Sequence, residues 1–233
     1  MRFNSKEKMV GKAKNIMMNG KMSVPNVRRD DMNLLEFSEL QFDEEKHLYT
    51  LNLAGQILQL PSVTQILRFV SNEMYKDVPL HVLENAADKG SRVHEAIEMM
   101  AKYGWMEADT EILGYMLAYQ EWEKEHNYET VATEYMVYHG KRMYAGRIDR
   151  LFMDGNDLCI MDIKTSQQVY KLLTAAQLYG YSEALKSHGI QVKQAYILHL
   201  KENSEYDWIE ADLNKGSTLF ECCAYLHGVL KEV

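Results

Sequence analysis

Residues 144–152, YAGRIDRLF, and 159–166, CIMDIKTS, decide how this chain is read. Between them lies DGND, residues 154–157, in which Gly155-Asn156 is a favoured two-residue hairpin loop. A turn there pairs residues whose numbers sum to 311, as 149 and 162 do. Asp149 and Asp162 are then cross-strand neighbours, with Cβ atoms roughly 4.5–5.5 Å apart. A turn at Asp154-Gly155 lowers the sum to 309 and still leaves both acids on one face, because strand side chains alternate with period two. Lys164 follows Asp162 by two and shares that face. Ile163 points the other way, with Ile148 and Phe152 as expected core neighbours.

The preceding segment, TVATEYMVYH at 130–139, reads as a third strand. A tight turn through Gly140-Lys141 sets Glu134 opposite Arg147 and beside Asp149, and an odd-length loop flips that placement. Two carboxylates 4 Å apart repel by about 4 kcal/mol at an effective dielectric near 20. A cation relieves that cost. Lys164 is one, and an oxygen-seeking dication such as Mg²⁺ or Mn²⁺ is another. Asp and Lys two apart on a strand also form ordinary solvated ion pairs of little consequence. Here, however, they follow the apolar run Cys159-Ile160-Met161, where unpaired charge is expensive.

Working outward, HLYTLNLAGQILQL at 47–60 alternates and turns near Gly55, a second hairpin ended by Pro61. Ser62 with Gln65 three residues on is a capping box, which predicts a helix from Val63 to Ser71. Further helices are expected over Pro79–Tyr103, with a break or kink at Gly90-Ser91, and over Thr110–His126. Leu172–His188 is amphipathic with Gly189 as its C-cap, and Leu213–Lys231 closes the chain as a helix. QVKQAYILHL at 191–200 and YDWIEA at 206–211 read as strands. From Thr110 the order is α-β-β-β-α-β-β-α. That order predicts an α/β (α+β) fold, a mixed sheet flanked by helices. The expected organisation is an arm over 1–30, a helical and hairpin subdomain over 31–108, and a core over 109–233.

At 233 residues and 46% hydrophobic, the chain has apolar side chains enough for a real core, which excludes general disorder. Its apolar runs are too short for a membrane span, and its start has no apolar h-region, so neither a membrane partner nor a secretory signal is expected. Cys159, Cys222 and Cys223 make neither a zinc pattern nor a disulfide framework, which predicts reduced thiols and a cytoplasmic location. Residues 1–29 carry eight basic side chains against Glu7, a net +7, leaving −15 on the remainder of a chain whose net charge is −8. A basic arm suits a polyanion or is simply a solvated tail. Trp105, Trp122 and Trp208 are read as packing residues.

YAGRIDRLF followed by CIMDIKTS resembles the catalytic core of the PD-(D/E)XK nucleases, in the RecB-like branch that includes CRISPR-associated exonucleases. Asp149 matches the first acid and Asp162-Ile163-Lys164 the (D/E)-X-K tripeptide. Gly90-Ser91-Arg92-Val93-His94-Glu95 resembles the branch's N-terminal glycine-to-histidine motif, and Gln177-Leu178-Tyr179-Gly180-Tyr181 its Q-x-x-x-Y motif. Leu60-Pro61-Ser62-Val63-Thr64 is similar to a segment of phage exonucleases and of mitochondrial genome maintenance exonucleases. Ile148 stands where the superfamily's eponymous proline would be, and Asp162 where Glu is common.

The resemblance implies a restriction-endonuclease-like core and a metal-dependent DNA exonuclease, with a role in recombination, repair or end processing. It implies that Asp149, Asp162, His94 and the Ile163 carbonyl bind one or two Mg²⁺ or Mn²⁺ ions, and that Lys164 orients or activates the attacking water. Glu134 is expected to bind a second metal or to hold Lys164. Gln177 is expected to hydrogen-bond phosphate or Lys164, and Tyr181 to pack on sugar or base. DNA is the expected partner, single-stranded or as a duplex end, with a single-strand annealing protein and an oligomer as further expectations. No four-cysteine set occurs, so no iron–sulfur cluster is expected, and no G-x-x-x-x-G-K-[ST] motor motif is present. The rival readings are an endonuclease of restriction or repair type on the same core, and a catalytically silent nucleic-acid-binding or assembly protein.

Overall fold

The computed structural model describes residues 36–104 and 109–232. The basic arm over 1–30 and Trp105 lie outside them. Two sheets organise the rest. Strands β1 (Leu40–Asp43), β2 (Leu48–Leu53) and β3 (Gln56–Leu60) form an antiparallel meander. The larger sheet has the order β4-β5-β6-β7-β8, from strands β4 (Glu129–Tyr138), β5 (Ala145–Asp154), β6 (Asp157–Lys164), β7 (Gln194–Leu200) and β8 (Tyr206–Glu210). Only the β6–β7 pair is parallel, and helix α5 (Lys171–Ser187) makes that crossover. The sheet is therefore mixed, as the element order predicts.

Helices cover both faces. On one side α5 and α6 (Leu213–Glu232) bury Leu178, Tyr181 and Phe220 against Val137, Ile148, Ile160 and Ile197. On the other, α3 (Leu80–Tyr103) and α4 (Leu113–His126) bury Val93, Ile97, Tyr119 and Trp122 against Phe152, Met161, Ile163 and Leu198. Helix α3 thus shares a core with the sheet across the expected 108/109 boundary. Short helices α1 (Val63–Ile66) and α2 (Arg68–Tyr75) follow the meander.

Several local expectations hold in atomic detail. Gln65 N donates to Ser62 Oγ and Ser62 N to Gln65 Oε1, both at 3.0 Å, completing the capping box. Gly155 (φ +59°) sits in the two-residue turn between Asp154 and Asp157, and Gly189 (φ +82°) follows the end of α5. Trp122 and Trp208 are packing residues, stacked with His126 and Tyr196 respectively.

Other expectations are corrected. The helix expected over Val63–Ser71 is two helices that meet at Leu67. Strand β1 is additional; its charged surroundings, Asp43-Glu44-Glu45-Lys46, mask the strand pattern. Helix α3 runs unbroken through Gly90, which instead brings α3 close to the strand end: a Cβ there would lie 3.3 Å from Thr165 Oγ1. The Gly140-Lys141 turn is a six-residue connection between Tyr138 and Ala145, in which His139 Nδ1 accepts from the Lys141 and Arg142 amides. Met136, not Glu134, therefore faces Arg147. The connection is even in length, so Glu134 keeps its face. Ile148 belongs to the α5 side with Leu151, three residues on, while Ile163 packs on the opposite face with Phe152. Strict alternation along β5 consequently fails between Ile148 and Leu151, around Asp149. Across from it Glu134 adopts φ +49°, and no ladder pair is made between Tyr135↔Ile148 and Thr133↔Arg150.

Candidate active site

The β5–β6 register pairs residues summing to 311 from Asp154↔Asp157 up to Arg150↔Met161. Beyond that pair the hairpin opens, so Asp149 and Asp162 are not the ladder partners expected of them, and Asp149 closes the gap in another way. Asp149 Oδ2 accepts from the Ile163 backbone amide at 2.6 Å, a side-chain bond in place of a ladder bond. Asp162 sits on the neighbouring strand with only 2% of its surface exposed. Its Oδ1 accepts from Gln177 Nε2 at 2.7 Å, and its Oδ2 pairs with Lys164 Nζ at 2.7 Å. Oδ2 is buried and accepts no well-directed hydrogen bond.

Helix α5 supplies Gln177, which grips both members of the tripeptide. Its Oε1 accepts from Lys164 Nζ at 3.3 Å, while Nε2 donates to Asp162 and, at 3.1 Å, to the Tyr181 hydroxyl. Gln177 and Tyr181 are four apart and share a helix face. Tyr181 departs from its expected contact with sugar or base. It is buried, and its ring fills the space over Gly146, where a Cβ would come within 2.3 Å of it. Its part here is to pack and to fix the Gln177 amide.

His94 reaches the site from α3. Its Nε2 lies 3.2 Å from the Ile163 carbonyl oxygen, and its Nδ1 lies 3.7 Å from both Glu134 Oε1 and Asp149 Oδ1. Glu95, beside it, faces solvent. Donor atoms of His94, Glu134 and Asp149 fall within 4.8 Å of one another, close enough for one ion. Asp162 stands next to that triplet rather than in it, held off by Gln177 and Lys164. The position of Glu134 follows from its left-handed backbone, which no residue pattern signals. Arg147 was not assigned a role by sequence reasoning, yet its Nε lies 2.7 Å from Glu134 Oε2.

The electrostatics follow from burial against charge. Burial raises the Asp162 carboxyl to about 6, the Lys164 charge opposing and the Asp149 charge adding to the shift. Burial also raises Asp149, with His94 opposing and Glu134 reinforcing. For His94 burial works downward, but the nearby Asp149 and Glu134 carboxylates outweigh it and hold the imidazole near 9. Lys164 is likewise held above its ordinary value, its burial outweighed by Asp162 and Asp149. Crowded carboxylates have drawn in protons and cations, and a dication meets the same need.

A family model for the PD-(D/E)XK nuclease superfamily matches residues 65–216, so the chain belongs to that superfamily, whose members use divalent metal ions. No curated protein matches it. Among solved structures, the protein SSO0001 aligns at 17% identity over 71% of this chain and 74% of that one, with a TM-score of 0.37. An alkaline exonuclease from Laribacter hongkongensis aligns at 12% identity over 60% of this chain and 81% of that one, with a TM-score of 0.32. Two carboxylates and an imidazole, with an under-bonded buried Asp162 oxygen alongside, are a donor set that fits a hard or borderline dication. Among the described residues no helix is long and apolar enough to cross a membrane.

Proposed function

We propose that this chain is a DNA exonuclease that hydrolyses phosphodiester bonds at strand ends with Mg²⁺ or Mn²⁺. The convergence of His94, Glu134, Asp149, Asp162 and Lys164, drawn from four elements, in one partly buried cluster carries that reading. His94, Glu134, Asp149, Asp162 and the Ile163 carbonyl are the groups that would hold one or two ions. A bound dication supplies charge neutralisation at phosphate and a water of lowered pKa. Lys164, kept protonated by Asp162 and Asp149, orients the attacking water through Nζ. Gln177 holds Lys164 and Asp162 in register with each other. The subdomain over 31–108 contributes His94 through α3, with the described sheet and helices from residue 109 onward as the core.

A role in recombination, repair or end processing in the cytoplasm, of phage type and with a single-strand annealing protein as partner, completes the proposal. The test compares an end-labelled linear single strand with a covalently closed circle in Mn²⁺. Release of mononucleotides from the linear strand alone is expected. Cutting of the circle establishes an endonuclease instead, and no cleavage of either, with binding intact, establishes a silent binding protein. Asp162→Ala is expected to abolish release while leaving the fold intact; full activity in that variant rejects the assignment.

A further inference from the structure

Arg147 stands at the edge of this site without a part in the chemistry just described. Its guanidinium is gripped from two sides. Nε pairs with Glu134 Oε2 at 2.7 Å, while the other oxygen of Glu134 faces His94. The Phe42 ring of β1 lies 5.3 Å from the guanidinium carbon and is itself packed on Tyr49. The aromatic face and the carboxylate charge together keep the guanidinium at this place beside the site.

The grip leaves the outer edge of the guanidinium unbonded. Among the described residues Nη1 and Nη2 make no hydrogen bond, and the Glu44 carboxylate, 3.7 Å from Nη1, is 81% exposed. An exposed ion pair of that length is displaced at little cost. The Arg147 side chain is 39% exposed, against 28% for Lys164, which Asp162 already engages. A planar fork whose inner edge is neutralised and whose outer edge is open matches a tetrahedral anion.

We propose that Arg147 binds a backbone phosphate of single-stranded DNA, next to the ion that the His94–Glu134–Asp149 triplet would hold. This rests on the nuclease reading of the site. Phe42 and Glu134 hold the guanidinium at the edge of the site, so the strand meets a donor pair already in place. The meander β1–β3 thereby becomes one wall of the substrate cleft through Phe42.

The test is fluorescence anisotropy of a labelled single-stranded oligonucleotide, with Ca²⁺ replacing the catalytic ion, across a salt series. Arg147→Gln is expected to weaken binding about tenfold or more. It is also expected to flatten the slope of log K against log salt by about 0.7, the value for one phosphate contact on a single strand. Arg147→Lys is expected to keep the slope and lose affinity, because a point charge replaces a fork. An unchanged slope in Arg147→Gln, beside a wild type that binds, overturns the inference and leaves the nuclease reading standing. So does a lowered Mn²⁺ affinity with an unchanged slope, which would make Arg147 a support for Glu134 alone. If Arg147→Gln does not fold, unaltered affinity in Arg147→Lys overturns the inference as well. A wild type that neither binds nor digests the strand overturns the nuclease reading itself.

Discussion

Asp162 is a buried carboxylate held between two partners. It is buried, its carboxyl is shifted up to about 6, and Gln177 and Lys164 are the two groups that make its charge tolerable. Removing a partner of a buried acceptor costs about 1–3 kcal/mol. Gln177→Ala is therefore expected to lower unfolding stability in urea by about that much, with activity falling roughly 10–100-fold, as for residues that orient metal ligands. Unchanged stability would mean that Asp162 is solvated in a way its burial denies. His94 gives a pH signature. Its folded pKa of about 9 exceeds the ordinary 6.5, so its stabilising share is complete below about 6.5 and vanishes as pH rises through 9. Melting temperatures of metal-free protein are expected to fall over that window, and the fall is expected to shrink in His94→Gln. Equal pH slopes in the two proteins contradict the pairing with Asp149 and Glu134. At this scale the acids and Lys164 were legible from the two-residue turn, while the opening of the hairpin beyond Arg150 and the break in alternation around Asp149 were not. Glu134 was placed on the right face but opposite the wrong residue, since nothing in TVATEYMVYH announces its left-handed backbone or the six-residue connection after it.

The elements are set against each other by glycines, and the structure distinguishes those that tolerate a methyl group from those that do not. A Cβ at Gly114 of α4 would meet the Glu202 carbonyl oxygen at 1.8 Å, a backbone atom with little freedom to retreat. A Cβ at Gly90 of α3 would meet only the Thr165 hydroxyl, at 3.3 Å. Alanine also gains about 1 kcal/mol over glycine inside a helix. Gly90→Ala is thus expected to leave stability near wild type, whereas Gly114→Ala costs about 1–3 kcal/mol or more from overpacking. Chemical denaturation of both variants checks the contrast, and equal losses would contradict it. Sequence reasoning took Gly90-Ser91 for a break in the helix because glycine is a poor helix former. Its actual place, at the close approach of α3 to the end of β6, depends on tertiary contact that no local pattern encodes.

In the whole molecule, the order of strands and helices from Thr110 onward was readable because the elements differ in periodicity and are separated by turn residues such as Gly155 and Gly189. The mixed sheet, its single parallel pair and helices on both faces follow from that order. The meander was half legible: β2 and β3 alternate cleanly, while β1 is short and set among charges. The β5–β6 hairpin opens where it meets α3 and α5, and surrounding contacts hold together acidic groups that repel. The most direct test of this account is a calorimetric titration of Mn²⁺ into the metal-free protein, repeated in the presence of an oligonucleotide. Saturable binding by the wild type is expected, with loss of that binding in Asp149→Asn. Equal binding by the two proteins, or no binding by the wild type under either condition, would contradict the claim that this pocket is built for a dication.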